Sequence, residues 1–142
     1  MCFFSNMFNR KDEIVFKVKA SPYFWRQKAE ELKFASEILW PSVQNRQNKI
    51  SKSIENDIEI DFNKIEPDTF SIFLSLIGFS TECLFKGVAV RDNPSFVYNG
   101  KLAKHLTSHD LIKLAKIAKI QLSQNEEIFC KQAYKAVSYP KI

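Results

Sequence analysis

The sequence predicts an all-α domain of four or five helices, on three grounds. Apolar residues return at three- and four-residue spacing over the stretches 22–40, 67–90 and 108–122. Helix-start signals stand at Ser21-Pro22, an N-cap followed by proline at the first helical position, and at Ser123-Gln124-Asn125-Glu126, a capping box. The composition, with 13 Phe but only 3 Gly in 142 residues, favours packed helices over loops or disorder.

The first helix opens at Ser21-Pro22 and places Phe24, Ala29, Leu32, Ala35, Ile38 and Leu39 at helical intervals. It is expected to end or kink at Trp40-Pro41. From Val43 to Asp61 the chain is rich in Asn, Gln, Lys and Ser, and reads as a poorly anchored second helix or a mobile connection. Pro67-Asp68 opens the most apolar helix, to about Val90. One stripe is Phe70, Phe73, Leu74, Ile77, Leu84, Phe85 and Val88; another is Ile72, Leu76, Phe79, Cys83 and Val90, so burial on two sides is expected.

Between the stripes run Ser71, Ser75, Gly78, Glu82 and Lys86, one line along the helix. It reads as a close helix–helix contact through small residues that ends in a Glu-to-Lys pair one turn apart.

The connection after Arg91 carries the turn signals Asn93-Pro94 and Asn99-Gly100. A helix capped by Ser108 should follow to Leu122, with Leu111, Leu114, Ala115, Ala118 and Leu122 facing the core. The last helix starts at the capping box, runs through Ile128, Phe129, Ala133 and Val137, and stops near Tyr139-Pro140. The runs 15–18 and 58–62 are each compatible with a short strand.

One domain fits this length, with residues 1–20 as an extension that packs on it or leaves it and residues 21–142 as the helical domain. Met1 to Phe8 is apolar but is broken by Asn9-Arg10-Lys11-Asp12-Glu13, too short to span a membrane and without a signal-peptide cleavage pattern. No membrane partner is expected. Cys2, Cys83 and Cys130 are odd in number and lack Cys-x-x-Cys spacing, which indicates neither a disulfide framework nor zinc and suits a reducing cytoplasm.

Chemistry-bearing residues concentrate in two strings. His105 and His109 have the separation of a helical metal pair, but no Glu takes the general-base position and Ser108 starts a new helix between them, so no metal is expected. No cofactor motif is present either. His109-Asp110 at a helix start could hold a phosphate or move a proton. The alternative, which we favour, is that His109 folds back onto Glu82, since such polar pairs usually serve packing and registry first.

A net charge of +5 permits a polyanionic partner, and Lys101, Lys104, Lys113, Lys116 and Lys119 concentrate that charge around the third firm helix. The same lysines would also suit the wet face of an amphipathic helix. Phe96 and Tyr98 in the adjoining loop are placed to stack on bases. The candidate reactive cluster is therefore His109, Glu82 and Lys86. The candidate binding residues are Lys101, Lys104, Asp110, Lys113, Arg91 and Tyr98, with Lys101 and Lys104 at the mouth of the cluster.

Taken in order, several elements resemble the HEPN superfamily of prokaryotic helical domains. They are Phe24-Trp25 to Trp40-Pro41, Glu82-x-x-x-Lys86-Gly87, Asn93-Pro94-Ser95, His109-Asp110-Leu111-x-x-Leu114 and Tyr139-Pro140. The resemblance implies an up-and-down bundle, often a homodimer, in toxin–antitoxin, abortive-infection or other anti-phage systems.

Many HEPN members are metal-independent ribonucleases that pair an arginine with a histidine four to six residues later. Here Arg10, Arg26, Arg46 and Arg91 have no histidine at that spacing, and Lys104 before His109 is the nearest imitation. Ser138 also stands where related domains carry Arg before Tyr-Pro. Members without the ribonuclease motif bind RNA, a nucleotide, or a nucleotidyltransferase or antitoxin partner. The expected function is thus a binding module of a defence system. The alternatives are a ribonuclease using His109 with Lys104 or Lys86, and a structural dimerisation module.

Overall fold

A computed structural model describes residues 14–138 and shows an all-α helical bundle. The elements are α1 (14–19), α2 (Pro22–Glu55), α3 (Phe70–Asp92), a hairpin of β1 (Val97–Tyr98) and β2 (Lys101–Leu102), α4 (Leu111–Ile117) and α5 (Gln124–Ser138). Short 3-10 turns occupy Phe62–Lys64, Pro94–Phe96 and Lys104–Thr107.

The central element is α3, which packs against α2, α4 and α5. Antiparallel pairing with α2 follows from the contacts of Gly87 with Trp25, Ser80 with Ala29, and Phe73 with Trp40. Gly78 meets Ala133 and Val137 while Ser75 meets Ala136, so α5 is antiparallel to α3 as well. The line of small residues is thus the α3–α5 contact. A second close approach lies on another face, where a Cβ at Gly87 would stand 2.9 Å from that of Trp25.

Three expectations about element boundaries are corrected. The first helix does not end at Pro41: α2 runs 34 residues to Glu55, about 51 Å at 1.5 Å per residue. Tertiary contacts on both sides of the proline outweigh its missing N–H: Trp40 packs on Phe73 and Val43 is 2% exposed. Arg46 donates to the Glu66 carbonyl at 2.7 Å and Lys49 pairs with its carboxylate at 2.7 Å. The stretch read as poorly anchored is therefore clamped to the segment that precedes α3.

The helix expected from Ser108 to Leu122 is only Leu111–Ile117. Asp110, not Ser108, is its cap, with Oδ1 accepting the N–H groups of Ile112 and Lys113. Lys119 adopts φ 56°, and bonds from Lys119 N to Lys116 O and from Ile120 N to Ala115 O close a Schellman motif. Asp57, at φ 52°, ends α2 in the same way. With glycine so scarce, two ordinary residues take the left-handed position.

The strands suggested at 15–18 and 58–62 are also corrected. The first lies within α1; the second is a loop that enters a 3-10 turn. The hairpin forms elsewhere, where Asn99 (φ 49°) and Gly100 (φ 67°) supply the two positive φ values of a two-residue turn.

The core lies between the C-terminal half of α3, the 104–107 turn, α4 and α5. Leu106, Leu111 and Leu114 are at most 2% exposed, and Phe85, Ala89, Cys130 and Ala133 join them. Burial on two sides is incomplete: Phe70, Ile72 and Phe79 in the first half of α3 remain exposed, and so does Leu84 in the second. Phe24 and Ile38 of α2 and Ile128 of α5 are exposed too, and Cys130 takes the core position on α5. By length and composition α3 could cross a membrane, but it is the helix that the others surround, and it carries buried Glu82 and Lys86. The expected stop at Tyr139-Pro140 lies outside the described residues, as does most of the 1–20 extension; Ala20, at its end, is buried.

Candidate functional site

Glu82 and Lys86 lie one helical turn apart on α3 and are both buried, at 7% and 5% exposure. Their side chains pair at 2.5 Å through Glu82 Oε1. The second oxygen, Oε2, lies 3.0 Å from Nδ1 of His109, which follows the 104–107 turn and is itself 57% exposed at the side chain. In the tautomer with the proton on Nδ1, that N–H donates to Glu82 Oε2, and Nε2 has no partner among the described residues. The ammonium of Lys86 also sits 5.8 Å from the ring centre of Trp25 on α2, within cation–π range.

Glu82, Lys86 and His109 are thus brought together, and Trp25 joins them. Trp25 was marked in the sequence only through the resemblance; its contact with Lys86 depends on Gly87 letting α2 approach. Cys83 adjoins the pair, where burial and then the Glu82 charge push its thiol up, so it stays protonated at neutral pH. Cys83 and Cys130 are both free and buried.

The basic residues expected at the mouth of this cluster line two grooves. The larger, about 730 Å³ and open, is walled by Lys104, His105, Ser108, Lys113 and Lys116. The smaller, about 490 Å³, lies against the hairpin and is lined by Phe96, Tyr98, Asn99 and Lys101. Phe96 of one groove and His105 of the other meet edge to face at 4.7 Å, so the two grooves share a wall. Lys101, Lys104 and Lys116 have no ion-pair partner among the described residues, and Lys113 reaches Asp110 only at 3.9 Å.

Two of the anticipated binding residues, Asp110 and Arg91, line neither groove. Asp110 spends its carboxylate on the α4 cap. Arg91 pairs with Asp92 at 2.8 Å near the end of α3. His105 faces Phe96 and His109 faces Glu82, so the two histidines do not converge as metal ligands would. Among the described residues no group of three or more His, Cys, Asp or Glu side chains is arranged to hold a metal ion.

Comparison of the chain with protein-family models, with curated proteins and with solved structures gives no match.

Proposed function

We propose that this protein is a helical binding module whose ligand is RNA, held through its phosphates by the basic groove. The observation that supports it most is the lining of the larger groove: three lysines and a histidine with no carboxylate among them. Neutralising phosphates there releases counterions, the general source of affinity for nucleic acid. The resemblance to HEPN domains supports a setting in the cytoplasm, in a toxin–antitoxin or anti-phage system. There the module would work as a homodimer or beside a nucleotidyltransferase or antitoxin.

Titrating a labelled twelve-nucleotide RNA at low salt tests the reading. The wild-type protein should bind, and the triple variant Lys104→Glu, Lys113→Glu, Lys116→Glu should lose at least tenfold in affinity. Equal binding by both proteins would remove the groove from the account.

One observation favours a second reading, metal-independent RNA cleavage. A buried carboxylate holds His109 at Nδ1 and leaves Nε2 unpartnered, the arrangement of an oriented general base. Incubating RNA with the protein in EDTA decides it. Cleavage lost in His109→Ala supports the enzyme; intact RNA with wild-type protein dismisses it.

A further inference from the structure

The smaller groove differs in kind from the larger one. Its hairpin is fixed from below, because Phe96, Val97 and Leu102 pack against the core and Ala103 N donates to Phe96 O at 2.7 Å. Strand alternation then turns Tyr98 and Lys101, which face each other across the ladder, away from the core. Tyr98 is 71% exposed, the most exposed large apolar side chain among the described residues. A two-residue turn with both φ values positive matches the twist of the paired strands, so the ring is carried on a hydrogen-bonded hairpin that packs on the core.

An exposed aromatic ring facing a lysine, beside a groove of nucleotide size and sharing a wall with a cation-lined groove, has the parts of a stacking site. Every base has a π-face, and a base can lie on Tyr98 only if it is unpaired and turned out of a helix. Its flanking phosphates would then lie between Lys101 on one side and Lys104 and Lys113 on the other. We propose that the hairpin is a stacking platform for an unpaired base, and that it makes this protein selective for single-stranded over duplex nucleic acid. The inference rests on the reading of the larger groove as a phosphate site and adds the form of the ligand.

The experiment compares a labelled ten-nucleotide oligoadenylate with the same strand annealed to its complement, by fluorescence anisotropy at one salt concentration. The single strand should bind about tenfold tighter, since stacking on an aromatic ring is worth that much or more per base. Tyr98→Ala should abolish the difference and Tyr98→Phe should keep it; at such an exposed position neither change disturbs the fold. Equal binding of duplex and single strand by wild-type protein, or an undiminished preference in Tyr98→Ala, overturns the platform while leaving the phosphate groove standing. Absence of binding to either form overturns both.

Discussion

A carboxylate that is 7% exposed needs partners for both oxygens, and Glu82 finds them in Lys86 and His109. The two partners are unequal. Lys86 is as buried as Glu82, so removing it alone strands a charge, and Lys86→Met should cost about 3–5 kcal/mol. The double variant Glu82→Leu, Lys86→Met removes both charges and should recover most of that loss. His109 is largely solvated, and His109→Ala should cost less than about 1 kcal/mol. Urea denaturation of the four proteins checks the order. Equal losses for Lys86→Met and the double variant would mean that desolvation is not the governing term. The Glu82–His109 contact was legible in the sequence because only a few polar residues interrupt apolar helices, and a buried one must find another. Trp25 beneath Lys86 was not legible, because that contact depends on the α2–α3 spacing.

At the scale of the element, helix ends and helix crossings carry the testable energetics. Lys119 holds the left-handed position that closes α4, where a glycine has no Cβ penalty, so Lys119→Gly should stabilise the protein by about 1 kcal/mol in the same assay. At the α2–α3 crossing, Gly87→Ala would set a Cβ 2.9 Å from Trp25, against 3.2 Å from Ala133 for Gly78→Ala. Both should destabilise, Gly87→Ala by about 1–3 kcal/mol and Gly78→Ala by less.

The capping box of α5 adds a pH dependence. The Ser123 N–H donates to Glu126 at 2.7 Å and holds that carboxyl below the usual range. A lowered pKa in the folded state means stability that is fully present above the unfolded value, about 4.3, and is lost as pH falls through the folded value. Glu66, held low first by Lys49, acts in the same direction. Acidification below the carboxylate range should therefore destabilise the wild type more steeply than Glu126→Gln, as read by denaturation at two pH values. The capping box was readable because cap chemistry is local. The continuation of α2 through Pro41 was not, since it depends on Trp40, Val43, Arg46 and Lys49 finding partners far along the chain.

Across the whole molecule, a long helix carries the Glu82–Lys86 pair and short elements carry the basic residues of the grooves. A hairpin and a 3-10 turn, both short and without strong periodicity, carry Lys101 and Lys104 onto grooves that meet at Phe96 and His105. Leu106 is completely buried, so it pins the turn, and His105 and Thr107 on either side of it are exposed. Lysine density was visible in the sequence, but the surface it forms depends on where Leu106, Val97 and Leu102 anchor.

Contact of this surface with a polyanion is read from the salt dependence of RNA affinity. For single-stranded RNA each neutralised phosphate adds about 0.7 to the slope of log affinity against log salt, so replacing Lys104, Lys113 and Lys116 by alanine should lower the slope by about 2. An unchanged slope in that triple variant, or no salt dependence in the wild type, would contradict the account.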